Sequence, residues 1–195
     1  MTVIIDYDAG NIMSVKNALS RLGAEYTLSS DPAIIRGADR VILPGVGNDA
    51  RAMEDILNRG LDVVIRSLRQ PVLGICVGMQ ILCRDSEEGD VKCLGIFDSH
   101  VKRFPENSAA KVPHMGWNNI NNLESKLFSD IKDGSSVYFV HSYHPTLCPD
   151  TIATCRHGDV VFSAALKYER FYGTQFHPEK SGSTGEKILA NFLAL

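Results

Sequence analysis

The chain has 195 residues, 44% of them hydrophobic and 22% charged, the length and composition of one soluble domain with a substantial core. Its formal charge of −3 leaves no electrostatic footprint for nucleic acid or for an anionic membrane surface. No apolar run approaches the length of a bilayer span, and the N-terminus lacks a basic region followed by an apolar core, so the expected address is the cytoplasm.

Thr2 to Asp6 is a short β-branched run and reads as a first strand. The polar turn from Asp6 to Asn11 follows, with Asn11 placed to cap a helix carrying Ile12, Val15, Leu19 and Leu22 at helical spacing. Gly23 closes that helix as its C′ residue. Glu25 to Leu28 is a second strand, Asp31-Pro32 opens a short helix, and Arg40 to Leu43 is a third strand. Pro44-Gly45-Val46-Gly47 is then a glycine-rich turn, followed by a helix with Met53, Ile56 and Leu57 on one face. Such a turn exposes backbone N–H groups of the kind an anion needs, although a plain tight loop satisfies the same residues. Pro71 begins another apolar run that ends in Gly74-Ile75-Cys76-Val77-Gly78, and Val77 to Cys83 is apolar enough to continue as a helix.

The second half changes character. Short strands are expected between Gly95 and Arg103, from Asn118 to Ile120, and from Val137 to Val140. Thr151 to Arg156, Val160 to Ala164 and Phe171 to Phe176 suggest an antiparallel meander, and Ser183 to Leu195 a final helix with Ile188, Leu189, Phe192 and Leu193 inward. Alternating strands and helices over the first half predict an α/β fold with a mostly parallel central sheet flanked by helices, and extra antiparallel strands in the C-terminal half. In that architecture ligands bind beyond the carboxyl ends of the strands, where the loops at 6–11, 44–47 and 74–78 all fall.

Five cysteines stand at 76, 83, 93, 148 and 155, with no C-x-x-C spacing to suggest zinc or redox chemistry. Four read as structural thiols. Cys76 differs because glycines flank it at a strand-to-helix turn, the elbow logic that strains a nucleophile's backbone and presents it beside a helix N-terminus. A buried core cysteine beside a glycine turn is the competing reading. A nucleophilic cysteine needs a base, and the base needs an orienting group. His177 in Gln175-Phe176-His177-Pro178-Glu179 offers both, since Pro178 favours extended backbone at His177 and residues i and i+2 then project to one side. Glu179 can therefore hold one ring nitrogen while the other faces Cys76. His141 is the rival base. His100, His114, His144 and His157 lack an adjacent acid in sequence.

With Gly74-Ile75-Cys76-Val77-Gly78-Met79-Gln80 joined to Gly173-Thr174-Gln175-Phe176-His177-Pro178-Glu179, the chain resembles the class I glutamine amidotransferases. Tyr7-Asp8-Ala9-Gly10-Asn11-Ile12, Leu43-Pro44-Gly45-Val46-Gly47, Pro113-His114-Met115-Gly116-Trp117-Asn118 and Phe139-Val140-His141-Ser142-Tyr143 look like the glutaminase subunits of imidazole glycerol phosphate synthase. The resemblance runs from end to end and implies one domain over residues 1–195. It implies Cys76 as nucleophile, His177 as base and later acid, and Glu179 as orienting carboxylate. The N–H groups of Val46 and Val77 would receive the oxyanion, and Gly47, Gln80, Glu88, Ser142 and Tyr143 would hold glutamine. Glu87 beside Glu88 leaves the register of the ammonium-binding acid open. It further implies no cofactor and no metal, but a heterodimer with a (β/α)8-barrel cyclase that takes up the ammonia, contacted by Asn11, Ser14, Trp117, Tyr138 and Lys180. Alternatives are a γ-glutamyl or peptide cysteine hydrolase of the same fold, a glutaminase of another pathway, and a non-catalytic regulatory subunit.

Overall fold

The computed structural model describes residues 1–7, 12–106 and 110–195. Its first half alternates strand and helix: β1 (Thr2–Ile5), α1 (Met13–Arg21), β2 (Tyr26–Ser29), α2 (Pro32–Arg36), β3 (Arg40–Leu43), α3 (Asp49–Asn58), α4 (Leu61–Arg66), β4 (Val72–Ile75) and α5 (Val77–Gln80). The second half adds β5 (Asp85–Ser86), β6 (Val91–Lys92), β7 (His100–Arg103), β8 (His114–Ile120), β9 (Ser135–His141), β10 (Tyr143–Pro145), β11 (Thr151–His157), β12 (Val160–Tyr168) and β13 (Phe171–Thr174) before α6 (Gly182–Leu193).

The central sheet has the order β11-β12-β13-β4-β3-β1-β2. β2, β1, β3, β4 and β13 run parallel, and β12 and β11 continue the sheet antiparallel. β1 and β4 are buried along their whole length, which is why their sequences are continuous apolar runs rather than alternating ones. The expected meander is therefore present, but its last strand pairs with β4 and makes the meander an extension of the central sheet. A second sheet, β10-β7-β5-β6, and a two-stranded pair, β8-β9, complete the architecture. The two-residue strands β5 and β6 escape a periodicity argument because they are too short to show a period.

Local signals explain most helix ends. Asp31 caps α2 by accepting from the N–H groups of Ala33 and Ile34, and Pro32 sits at its first position. Gly23 follows α1 in the left-handed conformation (φ +67°), as its place after the last apolar residue requires. Asn11, the expected cap of α1, lies outside the described residues. Leu57 departs from expectation: Ala52, Met53 and Ile56 are buried, whereas Leu57 is 54% exposed. One residue beyond Ile56, it is rotated by about 100° to the margin of the apolar stripe. In α6, Ile188, Leu189 and Phe192 enter the core and Leu193 packs at its edge. No helix of the described residues is long and apolar enough to cross a membrane.

Candidate active site

The apolar run before Cys76 becomes β4, and the chain turns immediately into α5. Cys76 takes φ 54°, ψ −112°, a conformation that costs a non-glycine residue about 1–3 kcal/mol and persists only under surrounding constraint. That constraint is visible at the flanking glycines. A Cβ on Gly78 would stand 1.9 Å from the carbonyl oxygen of Leu43, and one on Gly74 would stand 2.6 Å from the carbonyl oxygen of Gly78. The elbow thus closes directly on the end of β3. The helix expected from Val77 to Cys83 is a single turn ending at Gln80, so little helix dipole acts on the thiol. Cys83 is buried beneath the elbow, and burial pushes its thiol well up from its usual range.

His177 reaches the elbow because β13 lies beside β4 in parallel register, with Thr174 opposite Ile75. The backbone N–H of Cys76 donates to the carbonyl of Thr174 at 2.8 Å. His177 is extended (φ −97°, ψ 96°), but Pro178–Lys180 forms a 3₁₀ turn rather than continued strand. That turn brings Glu179 Oε1 to 2.7 Å from His177 Nδ1. The segment is pinned to β9: the N–H of His177 donates to the carbonyl of Tyr138, and Ser181 Oγ donates to the carbonyl of His177. Nε2 of His177 is buried with no hydrogen-bond partner among the described residues, as is Glu179 Oε2. Burial disfavours the imidazolium, but the Cys76 side chain and the Glu179 carboxylate outweigh it and raise the pKa of His177 to about 10.

Cys76 and His177 line a cavity of about 300 Å³, the scale of a small-ligand site. Val46, Gly47, Val77, Gln80, Glu88, Ser142 and Tyr143 line it too, together with Pro113, Val140 and His141. Glu179 stands behind His177 and is not part of the wall. The two neighbouring acids part company. Glu88 faces the cavity, whereas Glu87 turns outward to Lys102 Nζ (2.8 Å) and accepts from the Arg103 N–H. Glu88 Oε2 also accepts from the N–H of Asp49 at 2.8 Å, and burial raises its pKa against that bond.

Several polar residues had no assigned role from sequence. Tyr7 is buried at the end of β1 and donates to the carbonyl of Pro44 at 2.6 Å, tying down the Pro44–Gly47 turn. Asp49 is fully buried and accepts from Ser86 Oγ at 2.5 Å. Burial pushes Asp49 up to about 7, the Ser86 hydrogen bond opposes this, and the charge of Glu88 adds to it. Gln175, also fully buried, lies between Gln80 (2.9 Å) and Cys76 Sγ (3.7 Å). Tyr7 and Gln175 fall within the family motifs without a role of their own, and Asp49 falls in none.

His141, the rival base, has both ring nitrogens committed. Nδ1 is 2.7 Å from the carbonyl of Tyr143 and Nε2 is 2.9 Å from His114 Nδ1. A carbonyl only accepts, so His141 donates from Nδ1 and must accept from His114. Burial holds His141 well below the usual histidine range and His114 down to about 4, which keeps both rings neutral. The buried rings of His114, His141 and His144 cluster around Phe104 as a polar part of the core, with the half-buried His157 at its margin. His100 has no acid beside it in sequence but gains one in space: Asp85, on the adjacent strand β5 and fifteen positions earlier, meets its Nδ1 at 2.8 Å.

The only tryptophan is on the surface. Trp117 is 58% exposed, opposite Tyr138 in the β8-β9 pair, with ring centroids 6.1 Å apart. Met115, two residues earlier in the same strand, is also exposed. Lys180 is exposed, and Ser14 and Tyr138 are half-buried. Asn11 lies outside the described residues.

The model of the glutamine amidotransferase class-I family matches residues 3–195. An imidazole glycerol phosphate synthase subunit HisH from Bacteroides thetaiotaomicron is 53% identical, covering 98% of both chains. The subunit of the same name from Escherichia coli is 46% identical, covering 99% of this chain and 98% of that one. A solved glutamine amidotransferase superposes with a TM-score of 0.71 at 21% identity, covering 98% of this chain and 97% of that one, a likeness of fold. With a glycine-locked cysteine elbow beside a His-Glu pair, and relatives of this identity along almost its whole length, the chain belongs to the class I glutamine amidotransferases.

Proposed function

We propose that the protein hydrolyses glutamine to glutamate and ammonia, as the glutaminase subunit of imidazole glycerol phosphate synthase in histidine biosynthesis. The observation that carries this reading is the cavity where Cys76 and His177 meet Val46, Val77, Gln80, Glu88, Ser142 and Tyr143.

Cys76 is the nucleophile. His177, held by Glu179 and raised to about 10, is the group that takes the thiol proton, and sulfur attacks as a thiolate beside the imidazolium so formed. Sγ attacks the side-chain amide carbon of glutamine, and the carbonyl electrons move to oxygen. The N–H groups of Val46 and Val77 receive that oxyanion, and each such donor contributes roughly 3 kcal/mol. His177 gives its Nε2 proton to the departing nitrogen, the C–N bond breaks, and ammonia leaves a glutamyl thioester. His177, now neutral, takes a proton from water, hydroxide attacks the thioester, and the second oxyanion collapses to glutamate and thiolate. Glu88 receives the α-ammonium group of glutamine, with Gly47, Gln80, Ser142 and Tyr143 holding the rest of the substrate.

Ammonia is useful only where it is shielded from protonation, so the acceptor is a cyclase subunit, a (β/α)8 barrel, contacted by Trp117, Tyr138, Lys180, Ser14 and Asn11. An exposed tryptophan packed on a tyrosine supports that choice, because aromatic anchors dominate interface energetics. The cyclase produces imidazole glycerol phosphate and an aminoimidazole carboxamide ribotide in the cytoplasm.

The test replaces Cys76 with alanine and follows two activities of the complex. Glutamate release is expected to vanish while synthesis driven by added ammonium salt persists. Retained glutamine hydrolysis would remove Cys76 from the mechanism, and rapid cleavage of γ-glutamyl peptides by the parent protein would point to a different substrate class.

A further inference from the structure

The buried amide pair beneath the elbow has a sense that hydrogen-bond chemistry dictates. The carbonyl of Tyr143 can only accept, so the end of the Gln80 amide that meets it at 2.9 Å is the NH₂ group. The second hydrogen of the same nitrogen meets the Gln175 amide at 2.9 Å, and two NH₂ groups cannot pair, so Gln175 presents Oε1 there. The NH₂ group of Gln175 is thereby turned to Cys76 Sγ, 3.7 Å away. Gln175 is 0% exposed and Gln80 2%, so neither amide has solvent to exchange partners with. The carbonyl of Val140 also lies 4.0 Å from Sγ, where it suits an S–H donor and repels a thiolate.

We propose that Gln175 is a further catalytic residue: its carboxamide N–H donates to the Cys76 thiolate, with Gln80 and the Tyr143 carbonyl fixing which end of the amide faces the sulfur. The inference rests on Cys76 being the nucleophile. The donor offsets the repulsion from Val140 and acts twice, on the thiolate before attack and again when the thiolate leaves the collapsing thioester intermediate. A hydrogen bond to an ionised acceptor in a dry site is stronger than its neutral counterpart, which is why one fixed amide matters here.

The experiment compares Gln175→Glu, which keeps the shape and can still accept from Gln80, with Gln175→Met, which removes all polarity. The readout is the rate of iodoacetamide alkylation at Cys76 near pH 7, located by peptide mass spectrometry. A donor role predicts that glutamate, placing negative charge against Sγ, slows alkylation by roughly tenfold or more, and methionine by roughly threefold. A purely packing role predicts the reverse order, because glutamate is the closer isostere. Alkylation at the parent rate in the glutamate variant, or a glutamate variant faster than the methionine one, overturns the proposal. If Gln175→Glu does not fold, as judged by thermal unfolding, Gln80→Leu gives a second reading. It frees the Gln175 amide to turn its oxygen to Sγ and is expected to slow alkylation severalfold, whereas an unchanged rate overturns the proposal. A Cys76→Ala protein that still hydrolyses glutamine would sink the nucleophile assignment while leaving the alkylation comparison intact.

Discussion

Cys76, the first residue after β4, donates its N–H at 2.8 Å to the carbonyl of Thr174, the last residue of the neighbouring parallel strand β13, whose register partner is Ile75. This bond sets the geometry of the site. His177 is only three residues beyond Thr174, so an imidazole about a hundred positions from the thiol in sequence is delivered to the same cavity by sheet pairing. The site therefore sits beyond the carboxyl ends of β3, β4 and β13, where the fold leaves backbone N–H groups and loop side chains free for a ligand.

Replacing Glu179 with glutamine keeps an acceptor for His177 Nδ1 but removes the charge that supports the imidazolium. Glutamine hydrolysis is expected to fall by roughly a hundredfold, the lower end of what a positioned acid–base group contributes, since the ring is still held. The pH dependence has a defined sign. His177 is raised to about 10 in the folded protein, so its protonated form declines as pH rises through that value. The associated stability is full below the ordinary histidine value near 6.5 and is lost between there and about 10. In the variant the alkaline limb of kcat/KM should move to lower pH, and an unmoved limb would show that Glu179 does not act through the ring.

Asp49 makes the opposite kind of statement about stability. Its pKa rises from 3.8 to about 7 on folding, so the folded state holds the proton more tightly than the unfolded state. Stability then falls as pH rises from about 4 to about 7 and stays lower above that. Asp49→Asn is expected to be stabilising by about 1–2 kcal/mol near pH 8 and to have no such advantage near pH 4. Urea unfolding at the two pH values measures this, and equal effects at both would assign Asp49 no titration in that window.

Trp117→Ala should leave the thermal midpoint close to that of the parent protein, because the side chain is 58% exposed. Association with the cyclase should weaken by at least about fivefold, as truncating a central aromatic anchor costs more than about 1 kcal/mol. Isothermal calorimetry gives the number, and full affinity would move the interface elsewhere.

Gly78→Ala places a methyl group where only 1.9 Å separates it from the Leu43 carbonyl oxygen. The carbonyl is backbone and the methyl has no torsion to swing it away, so relief requires the elbow to move off β3. A loss of more than about 3 kcal/mol of stability is expected, with slower Cys76 alkylation in whatever fraction folds. An alanine variant with the parent's urea midpoint would mean that the elbow is not locked in this way.

Much of this could be read before any coordinates. The continuous apolar runs at β1, β3 and β4, the Asp31-Pro32 helix start, the Gly23 stop and the glycines around Cys76 are local codes: each depends on neighbours within a turn or two of chain. The His177-Glu179 contact was also foreseeable, although a 3₁₀ turn and not extended alternation brings the carboxylate to the ring. The family motifs added the cavity residues, and all of Val46, Gly47, Gln80, Glu88, Ser142 and Tyr143 line one space with Cys76 and His177.

What tertiary structure alone decided is whatever depends on long-range pairing and burial. Sequence chose Glu88 but left its register against Glu87 open; the strand edge at Lys102 and Arg103 holds Glu87 outward and leaves Glu88 on the cavity wall. It left His141 as a rival base, and two buried hydrogen bonds occupied both of its nitrogens. The roles of Tyr7, Asp49 and Gln175 were invisible for the same reason: their partners are 37, 37 and 95–99 residues away. By itself the sequence determined the elbow at Cys76 and the identity of its companions, because short-range backbone chemistry and motif spacing are written in order along the chain. Only the folded sheet decided which polar groups face the sulfur, because that depends on which strands become neighbours and which side chains lose water when they do.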